Sequence, residues 1–299
     1  MPMLAQTMTA LELTRLDELM ALSDGHRDVA IGLVDGPVAG HHPDLAGAYI
    51  WPVSGTSSGA CTRLESGACA HGTFVAGMLV ASRTSKAPAI CPGCTLLVRP
   101  IFWETAGSER VPMVTPDDLA QAVVECVDAG ARVVNLSAGL DAPSTQAHRG
   151  LHQCLDYAAA RGTVVVAAAG NQGTVGSSVI TRHPWVIPVV ACDSQGRAMS
   201  QSNLCRSIGA RGLGAPGEVV RSLRPDGGLV LGAGTSAAAA FVTGAIALLW
   251  SLFPTARAVD VRHAVTQRPA RTTVAPPLLD AGAAYATLGG ERTRQTFIQ

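Results

Sequence analysis

Short apolar runs alternate along this chain with segments whose apolar positions recur every three or four residues. Residues 28–34 (DVAIGLV) form a run that stops at Asp35-Gly36-Pro37, the pattern of a buried strand entering a turn. Runs at 95–101, 133–136, 163–168, 186–191 and 208–213 predict further strands. Helices are predicted between them. Residues 71–82 place Val75, Met78 and Leu79 on one face. Residues 116–129 have Thr115 as N-cap, Pro116 at the first helical position, and Asp117 and Asp118 in the first turn. The same spacing predicts helices over 147–160, 236–252 and 259–266. Near the N-terminus, Leu11, Leu13, Leu16, Leu19, Met20 and Leu22 follow a candidate capping pair, Thr9 and Glu12, and predict a short amphipathic helix docked on the body. Strands alternating with helices of about 10–15 residues imply an α/β fold with a largely parallel sheet covered on both faces. One domain spans 1–299, with 1–25 as a helical extension and a loose polar tail from 289.

Composition refines this picture. Glycine is plentiful at 32 residues and aromatics make up only 4%, which suits helices packed closely on a sheet through Gly, Ala and Val. Basic and acidic residues balance at 22 each, so no overall field attracts nucleic acid or an anionic membrane. The apolar stretch 236–250 is interrupted by Ser, Thr and Gly and reads as a buried helix rather than a span. Glu12, Arg15, Asp17 and Glu18 break up any export-signal pattern, which makes the cytoplasm the expected compartment. Eight cysteines leave three states open: free thiols, one or two disulfides, or a metal held by Cys91, Cys94, Cys61 and Cys69. The seven residues between Cys61 and Cys69 exceed usual zinc-ligand spacing.

Hydrolysis of a peptide bond by serine needs a hydroxyl, an imidazole base, a carboxylate to fix that base, and donors for the oxyanion. Asp35 ends the first strand, at the edge where parallel sheets carry function. His71 opens a predicted helix, where the dipole would favour a neutral ring. Ser236, in Gly234-Thr235-Ser236-Ala237, starts an Ala-rich helix, and Asn171 ends a buried strand as a candidate amide donor. Alone, each has an ordinary reading as a turn residue, a structural histidine or an N-cap. Their order, Asp then His then Ser, makes the set specific.

VDGPVAGHHPDL at 34–45, HGTFVAG at 71–77, VVNLSAG at 133–139, VVVAAAGNQG at 164–173, GAPG at 214–217 and GTSAAAAFVTGAIALL at 234–249 resemble the successive motifs of the subtilisin-like (S8) peptidases. The resemblance covers roughly residues 28 to 285 and implies a subtilisin-like three-layer fold and serine endopeptidase activity. It implies Asp35, His71 and Ser236 as the triad and Asn171 as the oxyanion amide. It also implies Ser137, Ala138 and Gly139 as the strand pairing with an extended peptide substrate, and Ala168, Ala169 and Gly170 as walls of a substrate pocket. No metal or other cofactor is implied, since residues 83–90 lack the oxygen ligands of a calcium loop. Gly36-Pro37 stands where the family usually has Ser or Thr after the aspartate, Phe74 where it has a second histidine, and Ala240 where it has proline. DGPV at 35–38 and CPGCTLLVRPIF at 91–102 are similar to stretches of the protease domains that mature cyanobactin-type ribosomal peptides. That likeness implies cleavage of a precursor peptide. A general intracellular protease, or a silent precursor-binding scaffold, are the alternatives, the last disfavoured by an intact catalytic set.

Overall fold

The structure, a computed structural model, describes residues 8–53, 59–104, 114–137, 148–267 and 274–296, the side chains of 291–296 excepted. Its strands are β1 (Ala30–Asp35), β2 (Tyr49–Pro52), β3 (Thr95–Pro100), β4 (Val133–Leu136), β5 (Val164–Ala168), β6 (Val186–Cys192), β7 (Leu213–Pro216), β8 (Val220–Leu223) and β9 (Leu229–Gly232). The first seven form one parallel sheet in the order β2-β3-β1-β4-β5-β6-β7, and β8 and β9 pair as an antiparallel hairpin. The helices are α1 (Ala10–Leu13), α2 (Leu16–Leu22), α3 (Gly67–Val80), α4 (Pro116–Asp128), α5 (Arg149–Ala160), α6 (Val179–Arg182), α7 (Arg206–Arg211), α8 (Thr235–Leu252), α9 (Ala258–Thr266) and α10 (Ala281–Thr296).

Residues alternate between the two sheet faces, so each strand feeds two cores. Ile31, Leu33, Val164 and Val166 face α3 and α8, while Val34, Val134, Leu136 and Val165 face α4 and α5. The small side chains of α8 let it lie in the heart of the first core. This helix is long and apolar enough to cross a membrane, but 89% of it is buried inside the protein, as expected of a core helix. From β1 the chain runs outward to β2 and β3, then returns past β1 to β4. That reversal leaves a crevice at the C-terminal ends of β1 and β4, the usual place for a site in an open parallel sheet.

Several expectations are corrected. Residues 208–213 are not one strand: α7 occupies Arg206–Arg211 and β7 begins at Leu213. Ile208 of that turn packs into the core, against Val190 and Cys192. The chain then tightens at Gly212, where an added Cβ would lie 2.4 Å from the Pro188 carbonyl. The first helix is split. Thr9 and Glu12 do form a reciprocal capping box, but Arg15 adopts φ +52° and separates α1 from α2. The C-terminal segment from 289 is helical in its backbone as far as Thr296, α10 being started by Asp280, whose carboxylate accepts from the Ala283 N–H (2.8 Å).

Of the cysteine states, one disulfide forms, Cys61–Cys69, and the other six thiols are free and buried. Cys91 and Cys94 precede β3 at the opposite end of the sheet from Cys61 and Cys69, which removes the four-cysteine metal set. Burial pushes the Cys126 and Cys154 thiols up to about 12 and that of Cys192 to about 11, so these three are packing residues.

Candidate active site

Asp35, fully buried, is the last residue of β1, and the next turn lies directly against α3. A Cβ on Gly36 would sit 1.9 Å from the Ala68 carbonyl, and one on Gly72 would sit 2.4 Å from the Gly36 carbonyl. Two glycines thus let the strand end and the helix interlock, which accounts for Gly36 where the family has a larger residue. Changing Gly36 to alanine will cost about 3 kcal/mol, because backbone, not a flexible side chain, blocks the added methyl; a shift in the denaturant midpoint at constant m-value measures it.

Helix α3 starts four residues earlier than expected. Ser66 caps it by accepting from the Cys69 N–H (3.1 Å), so His71 lies in the second turn. The helix dipole therefore does not set its protonation. The neighbour that does is Asp35, whose Oδ1 accepts from the Nδ1–H of His71 (2.6 Å) and from the Gly36 N–H (2.6 Å). Burial alone would push the imidazole down, but the Asp35 charge and its hydrogen bond outweigh this and hold His71 above its ordinary value of 6.5. Glu104 braces the start of α3 by accepting from Thr62, Arg63 and the Ser66 hydroxyl (2.5–3.4 Å), and the Cys61–Cys69 bond ties its first turn to the segment after β2, where the Cys61 N–H donates to the Val38 carbonyl (3.3 Å).

Ser236 stands in the first turn of α8. The approach to that helix requires glycine, since Gly234 adopts φ +116° and its missing Cβ would lie 2.9 Å from Asn171 Oδ1. Asn171 caps the helix: Oδ1 accepts from the Thr235 N–H (2.9 Å). A backbone N–H only donates, so the oxygen must face Thr235 and the Nδ2 donors face away. The Thr235 hydroxyl in turn accepts from the Gly170 N–H (3.2 Å), at a glycine with φ +100°. Ala168, Ala169 and Gly170 thereby come against the foot of α8. Ser137 continues β4 beside β1, its N–H donating to the Val34 carbonyl (3.4 Å), and its carbonyl accepts from the Ser236 hydroxyl (3.2 Å). Ala138 and Gly139 lie outside the described residues.

Three supports leave no mark in the sequence. Asn203 accepts at Oδ1 from the N–H groups of Gln172 (3.2 Å) and Thr174 (3.1 Å) and donates to the Ala169 carbonyl (3.1 Å), clasping the loop that carries Asn171. Buried Asn135 donates to the Ser137 hydroxyl (2.7 Å) and accepts from Thr243 of α8 (2.8 Å), which locks the strand carrying Ser137 to the serine helix. Phe74 packs its ring where a Cβ on Gly232 would fall, bracing the β8–β9 hairpin that leads into α8.

An imidazole held by a buried carboxylate, with a helix-start serine and a capped amide at the same sheet edge, is the equipment of a serine peptidase. The chain belongs to the subtilase family, whose model, described as "Subtilase family", matches residues 26–282. Subtilisin DY of Bacillus licheniformis is 32% identical over 266 residues, covering 87% of this chain and 90% of that protein. Thermitase of Thermoactinomyces vulgaris is 29% identical, covering 74% of each. Among solved structures, a mutant of the protease domain of PatA superposes with a TM-score of 0.81 at 30% identity, covering 89% of this chain and 97% of that one. The prenylagaramide maturation protease PagA gives 0.80 at 27%, covering 92% and 98%.

Proposed function

We propose that Asp35, His71 and Ser236 act as a catalytic triad, and that this peptidase removes leader or follower sequence from a ribosomally made precursor peptide. His71 takes the Ser236 proton at Nε2 as Oγ attacks the carbonyl, and returns it to the departing amine; water then hydrolyses the acyl-enzyme by the same route. To reach His71 the Ser236 hydroxyl turns away from the Ser137 carbonyl. Asn171 Nδ2 donates to the oxyanion. The peptide adds as an extended strand along Ser137, Ala138 and Gly139, with Ala168, Ala169 and Gly170 walling a side-chain pocket.

The observation that carries the maturation reading is the likeness to PatA and PagA, which extends over nearly the whole of both chains. Incubation with a leader-bearing precursor and, separately, with a casein-like protein tests it: discrete cuts in the precursor and slow turnover of casein are expected. Rapid, unselective digestion of both would establish instead a general protease, the reading that 32% identity to subtilisin DY supports. We place the enzyme in the cytoplasm, where such a precursor is made. The opposing observation is the Cys61–Cys69 bond, since cytosolic thiols are kept reduced. Thiol trapping in intact cells measures the state of that pair.

Asn171→Ala will lower kcat by about 10²–10³-fold, the effect of losing one oxyanion donor, and leave KM little changed. Steady-state kinetics on one peptide substrate checks it.

A further inference from the structure

Between α5 and α6 lies a cavity of about 530 Å³ that the catalytic reading does not use. Its lining includes Arg149, Arg182, His148, His152, His183 and Val179, and no carboxylate among the described residues. Arg15, Arg99, Arg197, Arg224 and Arg257 each pair with an acidic side chain. Arg149 and Arg182 carry no ion pair among the described residues.

The histidines are held in place from behind. The Trp185 N–H donates to His183 Nδ1 (3.3 Å), so the ring proton sits on Nε2, which donates to Asp156 Oδ1 (3.2 Å). His152 Nδ1 bonds the other oxygen of Asp156 (3.0 Å). Asp156 thereby directs its charge at two imidazoles. The protonated Nε2 of His183 also removes this trio from metal ligation, which needs a free lone pair there. Among the residues that line the cavity, the charged groups are the two guanidinium groups of Arg149 and Arg182.

The position links this cavity to substrate. Helix α5 is the element that follows β4 and Ser137, and runs back toward the start of β5, so its first turn, with His148 and Arg149, lies at the sheet edge that carries Asp35. Helix α6 is the next element after the loop of Asn171. The cavity walls are thus the continuations of the two segments that flank the bound peptide.

We propose that this cavity is a subsite for a carboxylate side chain, Asp or Glu, of the peptide substrate, with Arg149 and Arg182 as its specificity-determining residues. The proposal rests on the peptidase reading above. A guanidinium fork matches a carboxylate in charge and in planar geometry, whereas the uncharged amide of Gln loses the charge-assisted bonds.

The test uses pairs of peptides that differ only as Glu or Gln, moved one position at a time along the sequence around the cut. The wild type is expected to favour Glu about tenfold or more in kcat/KM at one position. In the Arg149→Gln/Arg182→Gln double variant that ratio falls to about one, while cleavage of the Gln peptide is unchanged. Both arginines are at least partly exposed, so the variant is expected to fold. Equal losses on Glu and Gln peptides, or no preference at any position, would overturn the proposal. So would inorganic phosphate inhibiting both peptides equally with no Glu preference, which marks a site for a free anion. Cleavage of the Gln peptides by the wild type reads the peptidase assignment separately.

Discussion

Ser236→Ala will fold normally and lose about 10⁴-fold or more in kcat on any peptide substrate. In the proposed mechanism the three residues work as a unit, so removing the nucleophile forfeits what His71 and Asp35 contribute, and only binding and the oxyanion donors remain. The fold loses little, because the hydroxyl makes one hydrogen bond, to the Ser137 carbonyl, in a half-buried position. The net value of such a bond is about 1 kcal/mol, partly offset by the better helix propensity of alanine. Turnover of a fluorogenic peptide, read beside the thermal midpoint, separates the two effects. Fluorophosphonate labelling gives an independent measure: the wild type is labelled and the variant is not. A variant that kept most of its turnover would remove Ser236 from the mechanism.

The strand-and-helix alternation is legible because parallel strands buried on both faces read as unbroken apolar runs, and the helices between them carry caps. Helix α4 shows this best, since Thr115, Pro116 and its two aspartates mark its start unambiguously. Helix α3 shows the limit. Gly67-Ala-Cys-Ala precedes His71 with no periodicity to reveal it, and the cap at Ser66 lacks an acidic residue in the first turn. The sequence therefore points to His71 as a residue but misplaces it as a helix start, and the physical argument for its basicity changes from the dipole to Asp35. The hairpin β8–β9 escapes notice because its outer strand is largely exposed and breaks the apolar-run pattern. The site's outer supports are hidden for a different reason. Asn203 and the Thr243–Asn135–Ser137 chain include pairs 29 and 108 positions apart, and pairing over that distance leaves no local signal. The disulfide is intermediate: the cysteines are visible, but their partners follow only from where the segment after β2 meets the first turn of α3.

Asp35→Asn will reduce kcat by about 10³–10⁴-fold and move the acid limb of kcat/KM to lower pH. In the proposed mechanism His71 acts as the neutral base, and Asp35 holds its pKa above 6.5, so the wild-type limb in the free enzyme is expected above that value. The Gly36 N–H fixes an acceptor at the Oδ1 position, so the substituted asparagine keeps its carbonyl there, and its amide group falls where Asp35 Oδ2 lacks a partner among the described residues. The hydrogen bond to His71 then survives while the charge is lost. Burial, no longer opposed by the carboxylate charge, lowers the imidazole pKa, and the imidazolium formed in the transition state loses its counter-charge. Ceiling and limb therefore shift for one cause. The stability linkage has the matching sign: a pKa raised in the folded state stabilises below the unfolded value of 6.5 and is lost as pH rises through the folded value. The wild type should thus gain stability relative to Asp35→Asn on going from about pH 8 to about pH 5. A pH–rate profile and denaturant midpoints at those two pH values measure both consequences. A limb that stayed in place while kcat fell would show that Asp35 orients His71 without setting its charge.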